Sequence, residues 1–217
     1  MTRLAIMLTG DHLWRRLPWA ALAVAGSCGG SLVVWAAART PSPGELAVSL
    51  QVAAVLLAAG AASGLDDDAE PLTATTPFGR PRRRLLGLTA TAAVVFVGWL
   101  VILLVASTLA GESVGFGGDL PALALLVQLG ALCAGGWAIA AAVIHWRGSL
   151  RPGARAGAGI VVLAALSAAE PRLRVLWSPF SSGSSARWLL VGLGAIAVLT
   201  RLSGDGAGGR RHAGGTA

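Results

Sequence analysis

Apolar residues dominate six long segments of this chain, and short polar stretches separate them. The six segments cover residues 18–38, 45–64, 85–110, 121–146, 156–170 and 187–202. A helix needs about 20 apolar residues, at about 1.5 Å rise each, to cross the hydrocarbon layer of a bilayer. The first four segments have this length, whereas the fifth and the sixth are shorter. The pattern predicts an all-α integral membrane protein with about six transmembrane helices.

Two further segments mix apolar and charged residues without reaching spanning length. The composition of residues 1–17 predicts an N-terminal amphipathic helix at the membrane interface, or alternatively a frayed terminus. Residues 170–187 predict a semi-apolar segment that dips into the outer interface before the last helix, or alternatively a flexible external loop. Residues 203–217 are expected to form a disordered cytoplasmic tail. The predicted organisation is one six-helix transmembrane domain, residues 18–202, between two terminal segments.

The composition fits a bilayer as the solvent of this chain. Hydrophobic residues make up 55% of its 217 residues and charged residues only 12%, a ratio that a soluble core cannot bury. All 17 basic residues are arginine, and alanine and glycine are abundant, which indicates GC-rich coding of the kind found in bacteria. The absence of lysine excludes a Walker A phosphate loop and Schiff-base chemistry.

Cysteine and histidine give no sign of a catalytic or metal site. Cys28 and Cys133 each lie inside an apolar segment, and the three histidines are far apart in the sequence. Neither a disulfide framework nor a metal-ligand spacing is present. We therefore expect a protein without enzymatic activity of its own and without a cofactor.

The arginines predict the orientation of the chain in its membrane. If the N-terminus is cytoplasmic, thirteen arginines fall on the inside, and the four on the outside are Arg39, Arg172, Arg174 and Arg187. Cytoplasmic loops of membrane proteins carry such an excess of positive residues. We therefore expect a multi-pass protein of the plasma (inner) membrane with both termini cytoplasmic. Orientation also explains the net charge of +7 better than nucleic-acid binding does, because no basic face is interleaved with aromatics.

The interiors of the predicted spans carry no ionisable residue at mid-bilayer depth, which argues against a proton-coupled carrier. Their polar residues are Gln51, Gln128 and scattered serine and threonine, and Trp99 and Trp137 are predicted to be packing residues. Small residues that permit close approach of helices are abundant. They include Gly26, Gly29, Gly30, Ala58, Ala59, Gly60, Ala61, Ala62, Gly130, Gly135 and Gly136.

The longest predicted cytoplasmic connection reads LDDDAEPLTATTPFGRPRRR and spans residues 65–84. Its charges are segregated, with carboxylates at the start and arginines at the end. The charged residues are Asp66, Asp67, Asp68, Glu70, Arg80, Arg82, Arg83 and Arg84. One interpretation is a solvated loop whose arginines hold the third helix in register. The other is a docking surface for a soluble partner or for anionic lipid headgroups.

The sequence of residues 65–88, LDDDAEPLTATTPFGRPRRRLLGL, resembles a loop of small actinobacterial ABC transporter permeases. In that loop a Leu-Asp-Asp start precedes a Pro/Thr stretch and an arginine cluster. The six predicted spans, the cytoplasmic ends and the interfacial segments also resemble an ABC-2-type permease subunit. The resemblance implies an all-α membrane subunit of an exporter that contains no catalytic residue.

The resemblance also implies partners. A permease of this family pairs with a second permease subunit, identical or related, and with a separate ATP-binding subunit. A coupling helix in the loop after the second span contacts the ATPase, which assigns that role to residues 66–84. Two rival interpretations remain. One is a non-transporting scaffold or regulatory subunit of a larger complex, and the other is a secondary carrier.

Overall fold

A computed structural model describes residues 17–39, 42–65, 80–110, 122–147, 152–169 and 184–205 of the chain. Within these ranges the chain forms six α-helices and no strand. The helices are α1 (Trp19–Ala37), α2 (Pro43–Ala62), α3 (Arg80–Ala110), α4 (Ala122–Arg147), α5 (Pro152–Ala169) and α6 (Ser184–Asp205). A 3₁₀ turn, Ser63–Leu65, directly follows α2. The predicted all-α membrane fold is confirmed.

Five of these helices are long and apolar enough to cross a membrane, namely α1, α2, α3, α4 and α6. The apolar part of α5 is shorter and runs over Pro152–Leu166. By length and composition the chain is therefore a multi-pass membrane protein.

Three helices differ from the predicted spans by three or more residues at one end or both. α3 begins at Arg80 instead of residue 85, because arginine is a good helix former and extends the helix beyond its apolar part. α5 begins at Pro152 instead of residue 156, and proline is well suited to the first position of a helix. α6 runs from Ser184 to Asp205 and so enters the predicted tail. The predicted terminal segment 1–17 and the outer segment 170–187 lie almost wholly outside the described residues.

α2 is the central helix of the bundle. It packs against α1, α3, α4 and α5, whereas α6 packs mainly against α4. The residues that α2 contributes to the core are mainly leucine and alanine, and they include Leu46, Leu50, Ala53, Ala54, Leu57 and Ala58. At its N-terminus, Ser42 and Glu45 form a capping box, in which the Ser42 hydroxyl accepts from the Glu45 N–H at 3.3 Å.

Glycine allows α1 and α2 to pack closely. A Cβ atom on Gly29 of α1 would meet the Cα and Cβ of Ala53 at 3.1 Å. A Cβ atom on Gly60 of α2 would meet the main-chain oxygen of Ala21 at 3.2 Å. The first contact joins the middles of the two helices, and the second joins the end of α2 to the start of α1, so α1 and α2 run antiparallel. Backbones this close gain van der Waals contact, which is a main source of helix association inside a bilayer.

The outward faces of α3, α5 and α6 are apolar. They expose large side chains such as Phe96 and Val97 of α3, Leu163 of α5, and Leu190 and Leu193 of α6. A soluble protein rarely exposes so much contiguous apolar surface. These faces are suited to contact with lipid.

Candidate functional site

The structure describes only the basic end of the predicted coupling loop. The acidic residues Asp66, Asp67, Asp68 and Glu70 lie outside the described residues. Arg80, Arg82, Arg83 and Arg84 form the first turns of α3, and only their backbone is described. The role predicted for these eight residues stays a prediction.

The described residue that immediately precedes the acidic residues is the last one of the Ser63–Leu65 turn. This turn contacts α3, α4 and α5, so the end of α2 lies where three other helices meet. We call this region the α2 junction and define it as Ala61–Leu65 together with Thr91, Trp137 and Gly153. Any force applied to the chain at Asp66 would act first on the α2 junction.

Trp137 of α4 fixes the end of α2 by a hydrogen bond. Its indole N–H donates to the main-chain oxygen of Ala61 over 3.0 Å. The last carbonyl groups of a helix have no partner in the regular helical pattern. The Ser63 N–H also approaches the oxygens of Ala61 and Gly60, which tightens the final turn. The end of α2 is therefore held by its own chain and by a neighbouring helix.

α5 approaches the same end of α2 through two glycines. A Cβ atom on Gly153 would clash with the main-chain oxygen of Ala62, and would lie 2.7 Å from the Cα of Ser63. A Cβ atom on Gly157 would lie 2.8 Å from the main-chain oxygen of Ala59. Because real Cβ atoms do not approach this closely, only glycine permits this spacing between the two backbones.

The Ser63–Leu65 turn contacts α3 at Thr91. A Cβ atom on Gly64 would lie 2.9 Å from the Thr91 hydroxyl oxygen. That hydroxyl donates to the main-chain oxygen of Gly87 at 2.9 Å, and the Thr91 side chain is almost fully buried. The turn therefore packs against the Thr91 side chain, whose orientation is held by this hydrogen bond.

α3 extends past the α2 junction toward the predicted cytoplasmic side. At 1.5 Å rise per residue, Arg84 and Arg80 lie about 10 Å and about 16 Å beyond Thr91 along the helix axis. The basic turns of α3 thus continue a helix that is in direct contact with the turn preceding the acidic residues. The acidic end of the predicted coupling loop directly follows the α2 junction, and its basic end lies farther along a helix that contacts this junction.

The chemistry available in the described residues is limited. No three His, Cys, Asp or Glu side chains in the described ranges are grouped so as to hold a metal ion. Within the part of the chain that the structure describes, two buried donors lack a hydrogen-bond partner, namely the indole N–H of Trp99 and the side-chain amide nitrogen of Gln128. The described contacts at the α2 junction join the end of α2 to α3, α4 and α5.

No protein-family model, curated protein or solved structure matches this chain.

The sequence predicts Trp137 only as a packing residue, and Gly153 and Gly157 are not among the small residues named above as permitting close helix approach. The structure confirms that Trp99 and Trp137 pack inside the bundle. The sequence feature that could have indicated close packing of α5 is the four-residue spacing of Gly153 and Gly157, directly after Pro152. Such small-residue pairs are typical of close helix contacts in membranes.

Proposed function

We propose that this chain is the membrane-spanning permease subunit of an ATP-binding-cassette exporter. In this proposal a separate ATPase subunit supplies the energy, a second permease subunit completes the transport unit, and the chain itself has no enzymatic activity. It lies in the plasma (inner) membrane with both termini in the cytoplasm. The sequence features that support this are the thirteen-to-four arginine distribution and the charge-segregated loop.

The structural observation that supports the proposal best is the position of the α2 junction. A coupling loop can work only if its displacement reaches the helices that line the transport path. The Ser63–Leu65 turn precedes the acidic residues and contacts α3, α4 and α5. The basic end of the loop begins α3 itself. Docking of an ATPase on residues 66–84 would therefore act on several helices at once.

The test reverses the acidic start of the loop. The gene neighbourhood of the chain is first searched for an ATP-binding subunit with a Walker A motif. The chain is co-expressed with that subunit, and the triple variant Asp66→Arg, Asp67→Arg, Asp68→Arg is compared with the wild type. Charge complementarity chiefly sets specificity and encounter rate. The triple variant should insert normally, associate more weakly with the ATPase and show a different salt dependence. The reversal adds positive charge to a predicted inside segment, so it should not disturb the orientation.

The variant Asp205→Arg is the matched control, because it reverses a charge on the same predicted side of the membrane but outside the loop. It should leave association with the ATPase unchanged. If the triple variant inserts normally and still couples ATP hydrolysis to transport at the wild-type rate, the loop is only a solvated connection and the docking role is wrong.

A second candidate function is a non-transporting scaffold or regulatory subunit. The close packing around α2, with Ala53, Ala58 and Ala61 completely buried, favours a rigid bundle. The same co-expression distinguishes the two candidates. A scaffold would bind its partner without any ATP-dependent transport in proteoliposomes. A permease would bind its partner and would also show ATP-dependent transport.

A further inference from the structure

Two side chains in the core of the bundle carry hydrogen-bond donors without a partner. Among the described residues, neither the indole N–H of Trp99 on α3 nor the amide nitrogen of Gln128 on α4 has an acceptor. Trp99 is 0% exposed and Gln128 is 2% exposed, so neither group reaches the surface of the bundle. A donor that loses water without gaining another partner is costly. Packing does not account for these two groups, because phenylalanine and leucine would fill similar volumes without a donor.

The two donors lie at nearly the same depth in the bundle, measured from the α2 junction. Trp99 follows Thr91 by eight residues, which corresponds to about 12 Å along α3. Gln128 precedes Trp137 by nine residues, which corresponds to about 14 Å along α4. Trp99 and Leu129, the neighbour of Gln128, belong to the same buried cluster. Both helix segments therefore run along the bundle on the same side of the α2 junction.

A third buried polar side chain lies at this depth. Gln51 of α2 precedes Ala61 by ten residues, which places it about 15 Å from the same junction. We call Gln51, Trp99 and Gln128 the polar layer. The other buried polar residues of the described ranges, Ser49 and Thr91, donate their hydroxyls to main-chain oxygens of their own helices. In the described chain, buried side-chain donors without a partner thus occur at one level of the core.

The helices that carry the two donors pack on α2 and not extensively on each other. α3 packs against α1 and α2, whereas α4 packs against α2, α5 and α6. By contrast, α2 is held backbone to backbone by α1 at Gly29 and by α5 at Gly157. A molecule that enters between α3 and α4 at the polar layer would therefore separate no closely packed pair of helices.

We propose that the polar layer binds a neutral molecule with a hydrogen-bond-accepting oxygen on an apolar body. An indole N–H can only donate, and the amide nitrogen of glutamine is also a donor, so the complementary group is an acceptor. The predicted spans carry no ionisable residue at mid-bilayer depth that would compensate the charge of an anion. The surrounding buried cluster is mainly leucine, alanine and valine, which suits an apolar body. Ketones and esters with a hydrocarbon chain have this chemistry.

This inference goes beyond the proposed function, because a binding site inside one subunit suits a permease and a regulatory subunit alike. Its test uses no ATPase and measures no transport. Failure of the coupling experiment would therefore leave the polar layer testable, and failure of ligand binding would leave the coupling experiment unaffected.

Nuclear magnetic resonance of the full chain in lipid nanodiscs tests the site, with methyl nonyl ketone as the probe. The tryptophans are labelled at the indole nitrogen, and Trp99→Phe identifies the Trp99 resonance by its loss. The ketone should move this resonance downfield until it saturates, because the indole N–H gains an acceptor. The Trp137 resonance should stay in place, since that N–H already donates to the Ala61 oxygen. A Trp99 resonance that does not respond to the ketone would overturn the proposal.

Two matched compounds separate recognition of the oxygen from simple partitioning into lipid. Undecane has the apolar chain without an oxygen, and undecanoate adds a negative charge. Neither should give a saturable shift of the Trp99 resonance at the mole fraction in lipid at which the ketone saturates it. An equal response to undecane would refute the site. A magnetisation-exchange signal from water to the Trp99 N–H that the ketone leaves unchanged would show that the layer binds water only, and would also refute it.

The second donor is tested by Gln128→Leu, with the Trp99 resonance as the readout. This variant should bind the ketone on the order of ten-fold more weakly, because one of two hydrogen bonds to the ligand is lost. Ser49→Ala is the matched control and should bind as the wild type does. Ser49 is buried two residues before Gln51, and its hydroxyl already donates to the Leu46 oxygen. An unchanged affinity in Gln128→Leu would exclude Gln128 from the site and contradict the proposal.

Discussion

The indole N–H of Trp137 on α4 donates a 3.0 Å hydrogen bond to the main-chain oxygen of Ala61 on α2. This bond joins two helices that are far apart in the sequence, at the last turn before the charged loop. It satisfies a part-buried donor and one of the carbonyl groups at the end of a helix. Movement of the α2 end away from α4 would break this bond, so the bond holds the two helices together at the α2 junction.

Replacement of Trp137 by phenylalanine should lower stability. Phe keeps an aromatic ring but removes the N–H, so the Ala61 oxygen loses this partner. A hydrogen bond of this kind contributes about 1 kcal/mol to the free energy of unfolding. Thermal unfolding of the purified protein in detergent should show a lower midpoint. Trp146→Phe on the same helix is the control, because Trp146 is 79% exposed, and an equal loss there would contradict the role of the bond.

Gly153→Ala should disrupt the contact between α5 and α2. The added Cβ would meet the main chain of Ala62 and Ser63, which cannot move as freely as a side chain. Overpacking of this kind costs roughly 1–3 kcal/mol. Gly159→Ala in the same helix meets no atom within 4 Å, and alanine is the better helix former. Thermal unfolding should rank Gly159→Ala at or above the wild type and Gly153→Ala below it, and the reverse order would refute the contact.

Gln128→Leu should raise stability. The Gln128 amide nitrogen is buried without a hydrogen-bond partner, and its removal relieves a desolvation cost of about 1–3 kcal/mol. Leucine has a similar volume and suits the neighbouring Leu125 and Leu129. The free energy of unfolding, measured with denaturant in mixed micelles, should increase. Ser49→Ala should give no such gain because the Ser49 hydroxyl is already bonded to Leu46, and a loss of stability in Gln128→Leu would contradict the prediction.

The hydropathy of the sequence is sufficient to predict the six helices but not the contacts between them. The apolar segments marked all six helices, and the shifted starts at Arg80 and Pro152 arise because helix formation does not stop where hydrophobicity does. Arginine continues a helix into the aqueous phase, and proline begins one. The helix propensity of arginine and the preference of proline for a helix start are local properties. Bounds predicted from these properties as well as from hydropathy would lie closer to the observed ones.

The α2 junction could not be predicted from the sequence because it depends on the register between helices. Gly29, Gly60 and Gly136 make close contacts, whereas Gly26, Gly30, Gly130 and Gly135, from the same set of small residues, face open space. Nothing in the local sequence separates the two groups. Likewise, the sequence indicated that Trp137 packs inside the bundle, but its pairing with Ala61 depends on how α4 lies against α2.

Topology can be tested directly by reporter fusions. Fusions after Arg84, Arg155 and Arg211 should report a cytoplasmic location, and fusions near Glu112 and Ser182 an external one. The expectation rests on the thirteen-to-four distribution of arginines. A reversed pattern would place the charged loop outside the cell, where no ATPase could reach it, and would remove the basis of the docking proposal.

The contact between Gly64 and Thr91 allows a test of how the loop signal reaches α3. In Gly64→Ala the new Cβ would lie 2.9 Å from the Thr91 hydroxyl oxygen, so the turn must move away from α3. The variant should still bind the ATPase, because the charged residues of the loop are intact. It should lose coupling, seen as a reduced ratio of transport to ATP hydrolysis in proteoliposomes. Gly87→Ala on α3 is the control, because its new Cβ would meet no atom within 4 Å.

A double-mutant cycle separates this contact from a general loss of stability. Thr91→Ala removes both the hydroxyl and the methyl group that the Gly64→Ala side chain would meet. If the contact transmits the signal by close packing, the double variant should regain part of the coupling that Gly64→Ala loses, because residues in contact are not additive. Thr91→Ala alone should reduce coupling, since it leaves a gap between the turn and α3. Strictly additive losses in the double variant would show that Gly64 and Thr91 act independently, and the path from the loop to α3 would then have to run through the backbone of the arginine turns.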